Sequence, residues 1–297
     1  MNLWDPKTIR KIMATHGLGF RKEFGQNFLT DPATVDSIAD ACSPDRDITV
    51  LEIGPGIGTL TQSLAERYRR VVALEIDRKL IPVLEYTLGE HPNVQVIQAD
   101  VLQTDLSALL APDFAEGPVS VCANLPYYIT TPILMKLLES RLPFRGITVM
   151  VQDEVASRLC AQPGNRAYSA ITAAVSYFGE PKKLFPVPAN RFLPVPRVNS
   201  AVVRITLWKQ PPCRPRSEEM LFRTIKAAFG QRRKPLPNAL GAGFPELNRE
   251  QIRGAVAHIN QPLHVRGECL DIAQFCALSD YILDCLPANS GANPSTP

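Results

Sequence analysis

The chain has 297 residues, 45% of them hydrophobic and 21% charged, with a formal net charge of +3. That composition excludes a disordered or fibrous protein, and no window approaches the ~18 uninterrupted apolar residues of a bilayer-spanning helix, so a soluble protein with no membrane partner is expected. At roughly 150 residues per domain, the length suggests one larger and one smaller domain.

The N-terminus, "MNLWDPKTIRKIMATHG", lacks an apolar stretch like a signal peptide's and carries an early acid, which points to the cytoplasm. Seven cysteines, Cys42, Cys122, Cys160, Cys213, Cys269, Cys276 and Cys285, form no C-x-x-C pair. Their odd number argues for reduced thiols and against a metal site.

From residue 48 short β-branched runs alternate with amphipathic segments. "ITVLEI" (48–53), "RVVALEI" (70–76), "VQVIQAD" (94–100), "VSVCAN" (119–124) and "ITVMVQ" (147–152) read as strands, with "TLTQSLAERYR", "RKLIPVLEYTL" and "TPILMKLLESRL" as helices between them. This alternation predicts an α/β fold, a Rossmann-like parallel sheet with helices on both faces. "YSAITAAVSYF" (168–178) reads as a helix, followed by a proline-punctuated stretch that ends in a strand over Ser200 to Leu207. "KQPPCRPRS" suits neither strand nor helix, and the domain boundary is placed there. The expected division is 1–208 as the larger α/β domain, 209–286 as a smaller helical domain, and 287–297 as a disordered tail.

"VLEIGPGIGTLT" sets Gly54, Gly56 and Gly58 after the first buried strand and before a helix. Glycines there permit a sharp turn and close approach to a ligand, although their G-x-G-x-G spacing departs from the dinucleotide fingerprint. Glu75 ends the next strand, where a carboxylate can accept from both hydroxyls of a ribose, and Asp100 ends the third, where it can accept from an adenine amino group. Either acid alone would also serve as a strand-end cap. Together on the carboxyl edge of consecutive strands they point to an adenosine-containing ligand.

"ANLPYYIT" (123–130) ends the fourth strand on the same edge. The Asn124 side-chain carbonyl and the backbone carbonyl before Pro126 can both accept from an exocyclic amine, and Tyr127 offers a face on which a base can stack. Two acceptors on an adenine N6 would localise its lone pair and make it nucleophilic without a charged base.

With these neighbours, "NLPY" resembles the motif of class I S-adenosyl-L-methionine-dependent N6-adenine methyltransferases. "FGQNFLTD" (24–31), "VQDEVASRL" (151–159), "FPVPANRFLPVPRVNSAVVRI" (185–205) and "FGQRRKPLPNAL" (229–240) are similar to the small-subunit ribosomal RNA adenine N6-dimethyltransferases of the KsgA/RsmA type. The resemblance implies a methyltransferase that places two methyl groups on each of two adjacent adenosines in a hairpin near the 3′ end of small-subunit (16S) rRNA. Four donor molecules would be consumed, with a role in ribosome biogenesis. It implies that Asn27, Leu29, Gly54, Glu75, Asp100 and Asn124 contact the donor, that Asn124 also faces the target base, that Tyr127 stacks on it and that Phe192 covers it from another side. Two positions depart from the family pattern: Asp153 stands where lysine is common, and Ser169 where glycine is expected.

Residues 204–234 hold nine Lys or Arg against Glu218 and Glu219. With the resemblance, Arg214, Arg216, Arg232, Arg233 and Lys234 are expected to bind RNA phosphates, with Arg10, Lys11, Arg21 and Lys22 extending the track. The chain is expected to be a monomer acting on a precursor small subunit. Competing readings are a large-subunit rRNA adenine N6-methyltransferase of the macrolide-resistance type and a non-catalytic RNA-binding assembly factor. A nicotinamide dehydrogenase is disfavoured by the glycine spacing and by His16, His91, His258 and His264 falling outside the predicted edge.

Overall fold

The computed structural model describes residues 1–19 and 26–286. Arg21, Lys22 and the expected tail 287–297 lie outside the described residues. The chain divides into two compact units, Met1–Cys160 with Phe178–Trp208, and Ala161–Tyr177 with the chain from Lys209 onward. Lys209 is thus where the chain leaves the first unit for good, whereas Ala161–Tyr177 is an earlier excursion that one boundary in sequence does not describe.

In the first unit, α1 (Pro6–Thr15), β1 (Phe28–Leu29) and α2 (Pro32–Cys42) precede the sheet. Both helices start for the same local reason. Asp5 and Asp31 accept hydrogen bonds from the N–H groups of Thr8 and Thr34, and a proline fills the first turn, where no donor is needed. There follow β2 (Thr49–Ile53), α3 (Thr59–Ala65), β3 (Arg70–Glu75), α4 (Ile81–Leu88), β4 (Val94–Gln98), α5 (Leu106–Glu116), β5 (Val119–Asn124), α6 (Thr130–Glu139), β6 (Ile147–Gln152) and α7 (Asp153–Leu159). After α8 (Ala170–Phe178) come β7 (Gly179–Val187), β8 (Phe192–Leu193) and β9 (Ser200–Leu207).

The seven-stranded sheet runs β4-β3-β2-β5-β6-β9-β7. Strands β2 to β6 are parallel, and β9 pairs antiparallel with both β6 and β7. β2, "TVLEI", is buried at all five positions, Thr49 and Glu52 included, as a strand covered on both faces is. Ile38, Leu64, Val50, Val71 and Met150 meet in the core. The chain steps outward from β2 to β3 and β4, then returns to β5 on the other side of β2. That reversal opens a crevice at the carboxyl ends of β2 and β5.

Strand β7 was not expected, because Pro181 and Pro186 interrupt its sequence. It lies at the edge of the sheet with a register shift between Lys183 and Phe185, and an edge strand tolerates the missing donors. Its Lys183 Nζ lies 2.6 Å from the Asp153 carboxylate, so the acid that departs from the family pattern is locally compensated.

The second unit is helical: most of α8, then α9 (Glu218–Gly230), α10 (Leu236–Gly243), α11 (Arg249–His258) and α12 (Ile272–Cys285). Asn248 and Asp271 close reciprocal capping boxes with Gln251 and Gln274. Tyr177 of α8 packs edge-on against Phe222 and donates to Glu218 over 2.9 Å. One cysteine expectation is corrected here. Cys213 and Cys276 form a disulfide across 6.5 Å between Cα atoms. A count of cysteines cannot register a pair that the fold brings together from 63 residues apart.

Candidate active site

A cleft at the carboxyl ends of β2, β3 and β5 is lined by Asn27, Leu29, Gly54, Glu75, Asn124 and Tyr127, together with Gln26, Phe28, Glu52 and Tyr128. Its floor is the turn after β2. Gly54 and Gly56 have φ of +71° and +63°, in the left-handed region that side chains resist. A side chain at Gly54 would meet no protein atom and would stand in the open cleft, while one at Gly56 would lie 3.0 Å from the Phe28 ring.

Glu75 ties this turn to the tip of β3. One carboxylate oxygen accepts from the Gly56 N–H at 3.3 Å and the other from the Asp77 N–H at 2.8 Å. Burial, only partly offset by these bonds, pushes its pKa up to about 7. Asp100, expected beside it, sits past the end of β4. It accepts from the Leu102 N–H at 2.9 Å and does not line the cleft.

Glu52 was missed in the sequence. It is 1% exposed, lines the cleft, and its Oε2 has no hydrogen-bond partner. Burial pushes its pKa up to about 8; the neighbouring Thr61 hydroxyl opposes the rise and the nearby Glu75 charge adds to it. The available signal was a glutamate inside the buried run "TVLEI", where an unpaired charge is costly unless something answers it.

The wall opposite is "NLPYY". Asn124 closes β5, and its amide Nδ2 donates to the Asn27 carbonyl at 3.4 Å, which turns its carbonyl oxygen away from that bond. Tyr127 is half-buried, and its hydroxyl meets Ser200 Oγ at 2.7 Å. Tyr128 is 61% exposed at the mouth. Phe192, expected to cover the adenine, is instead 2% exposed and does not line this cleft. Its strand β8 pairs with β1 in the register Leu29↔Phe192, which packs the ring into the core beside Val187 and Val202.

In the second unit the five expected phosphate contacts divide. Arg216 is held by Asp284 at 2.6 Å and by the Asp280 carbonyl at 2.7 Å. Arg232 bridges Glu268 at 3.0 Å and the carbonyls of Arg166 and Tyr168. Arg214, Arg233 and Lys234 are exposed, with no ion pair among the described residues. Among the described residues no group of His, Cys, Asp or Glu could hold a metal ion, and no helix is long and apolar enough to cross a membrane.

The geometry has parallels in known proteins. The chain is 46% identical over 281 residues to "Ribosomal RNA small subunit methyltransferase A" of Geobacillus thermodenitrificans, covering 94% of this chain and 96% of that one. The protein of the same name from Alkaliphilus metalliredigens is 43% identical, with 94% and 97% covered. Among solved structures, the 23S rRNA methyltransferase ErmE superposes with a TM-score of 0.65 at 27% identity, covering 86% of this chain and 99% of that one. A dimethyladenosine transferase from Plasmodium falciparum shares the fold, with a TM-score of 0.71 at 24% identity over 84% and 95%. The family described as ribosomal RNA adenine dimethylase matches residues 17–284, and the chain belongs to that family.

Proposed function

We propose that the protein transfers methyl groups from S-adenosyl-L-methionine to N6 of two adjacent adenosines in a hairpin near the 3′ end of small-subunit rRNA, giving N6-dimethyladenosines. The observation that carries this reading is that one cleft holds both halves of the chemistry: the glycine turn with Glu75, and Asn124 with Tyr127. The donor supplies an electrophilic methyl group on a cationic sulfur. Glu75 would accept from ribose hydroxyls, Asn27 and Leu29 would contact the donor, and the buried Glu52 carboxylate would meet a cationic end of it; all four line the one cleft. Asp100, which does not line the cleft as it stands, would accept from the donor's adenine amine through the carboxylate oxygen that Leu102 does not engage.

Asn124 has the central role. With its N–H group committed to Asn27, its oxygen accepts from the target amine, and the carbonyl preceding Pro126 supplies a second acceptor. Both pull N6 toward a tetrahedral shape and localise its lone pair, while Tyr127 stacks on the base and holds it in line. The base must leave its stack to enter, as other base-modifying enzymes require. In the second unit Arg214, Arg233 and Lys234 would bind backbone phosphates, and in the first unit Arg10 and Lys11 would do so separately.

The large-subunit alternative shares the chemistry, and the structural likeness to ErmE is consistent with it. The near-full-length identity to small-subunit enzymes favours the small subunit as substrate. We further place the protein in the cytoplasm as a monomer acting on a precursor subunit. The test is transfer from labelled S-adenosyl-L-methionine to unmethylated small subunits and, separately, to free large-subunit rRNA, with mass analysis of the digested nucleosides. N6-dimethyladenosine only from the small subunit is expected; product only from the large-subunit RNA would establish the alternative.

A further inference from the structure

Tyr127 has an unusual attachment for a ring at the edge of an open cleft. Its hydroxyl reaches Ser200 Oγ, 2.7 Å away, and Ser200 is fully buried. Ser200 is also the first residue of β9, paired with Gln152 of β6 on one side and with Val187 of β7 on the other. Just before it, Asn199 accepts from the Asp153 N–H through its backbone at 2.9 Å and from the Ala189 N–H through its side chain at 3.0 Å. The serine is therefore held by the sheet, whereas the tyrosine leads out of β5 into a turn. Burial raises the Tyr127 pKa, partly offset by the Ser200 bond, which favours the neutral hydroxyl.

A tyrosine ring without this bond would rotate about two side-chain torsions, and a stacked base would rotate with it. This matters more for the second transfer than for the first. In each, an N6–carbon bond forms as a sulfur–carbon bond breaks, and the N6 proton leaves to solvent. Before the second, however, a base already carrying one methyl must present its remaining N–H to Asn124 with less room to turn.

We propose that Ser200 is a positioning residue that fixes the plane of the Tyr127 ring and so commits a monomethylated base to its second methylation. The inference rests on Tyr127 being the platform for the target base. It assigns the buried Ser200–Tyr127 bond a part in setting product identity.

The test uses the full-length protein and unmethylated small subunits, reading rate, donor affinity and the ratio of N6-monomethyl- to N6-dimethyladenosine. Ser200→Ala and Tyr127→Phe each remove one end of the same bond. Each is expected to slow transfer about 3- to 10-fold, the worth of one hydrogen bond, with donor affinity within about 2-fold and product shifted toward the monomethyl form. The double variant should be no worse than either single one. Wild-type rates and product ratios in both single variants, or fully additive losses, would overturn the proposal. Should Ser200→Ala lose donor binding as well, it has disturbed β9, and Tyr127→Phe decides alone. Tyr127→Ala separates the two readings: if it is crippled while the single variants are normal, only the positioning role fails; if it too is normal, the stacking role fails.

Discussion

The two ends of the same parallel sheet treat charge in opposite ways. At the amino ends of the strands, arginines are matched by acids: Arg46 with Asp40 at 2.9 Å, Arg67 with Asp36 at 2.8 Å and Asp40 at 3.1 Å, Arg69 with Asp47 at 3.1 Å, Arg70 with Asp113 at 2.9 Å and Arg145 with Asp45 at 3.0 Å. At the carboxyl ends, Glu52 and Glu75 are buried too, yet among the described residues neither has an ion-pair partner, and burial raises the pKa of both. An acid paired within the chain serves the fold. A buried acid without a cation costs stability once it ionises, and a cationic ligand would offset that cost.

The sharpest way to break this contrast is at Asn124. Asn124→Ala removes an acceptor that matters most when N6 begins to bond to carbon. Transfer should fall by at least about 10³-fold while donor binding stays within a few fold. Single-turnover rates beside equilibrium donor titrations separate the two, and near-normal turnover would remove Asn124 from the chemistry.

A smaller effect should appear in the pH dependence of donor binding. With folded pKa values of about 8 for Glu52 and about 7 for Glu75, against an ordinary 4.5, the ligand-free fold keeps protons that the unfolded chain gives up. These groups cost no stability below pH ~4.5, an increasing amount as pH rises, and their full cost above pH ~8. A cationic donor prefers both carboxylates ionised, so binding should expel protons and tighten as pH climbs from 6 to 8, by up to ~10-fold per unit for each group still protonated. Glu52→Gln should flatten that rise. Calorimetric titrations at pH 6, 7 and 8 in buffers of different ionisation heat read the proton release directly; a wild-type affinity that does not move with pH would show that the donor ignores both acids.

Much of this edge was legible in the chain. Strand, glycine turn, strand-end acid and "NLPY" are local patterns, and a parallel sheet carries local patterns to one edge whatever else it does. Glu52 was hidden because an alternation of apolar residues says a strand is buried without saying what a glutamate within it faces. Phe192 was misplaced because the pairing of β8 with β1 joins segments over 160 residues apart, and that pairing turns its ring inward. β7 was invisible because two prolines argue against a strand until its place at the edge is known. What sequence reading lacked in each case was the identity of a distant neighbour.

The same distinction between paired and unpaired charge recurs in the second unit. Arg233 and Lys234 are exposed with no ion pair among the described residues, whereas Arg232 beside them is spent on Glu268 and two carbonyls. Replacing Arg233 and Lys234 by Ala should lower RNA affinity by a few fold near physiological salt and reduce the salt slope by up to ~1.8, or ~0.9 per phosphate contact. Arg232→Ala should leave that slope nearly unchanged and lower the melting temperature instead. A slope that falls equally for Arg232→Ala would mean its ion pair opens to the RNA.

The least effect on catalysis should come from the amino edge, and its size there is a check on the whole contrast. Asp113 is 4% exposed and is satisfied by Arg70 at 2.9 Å and by the Thr49 hydroxyl at 3.0 Å. Arg70→Ala leaves a buried carboxylate with one neutral donor, a loss of about 1 to 3 kcal/mol of stability. Arg145→Ala, which loses only an exposed pair with Asp45, should cost no more than about 1 kcal/mol. Because neither arginine faces the cleft, kcat and the KM for the donor should match wild type in both variants at a temperature where each is folded. If Arg70→Ala instead reduced methyl transfer at full occupancy of the fold, strain at one end of β3 would be reaching Glu75 at the other, and the two edges could no longer be treated as separate.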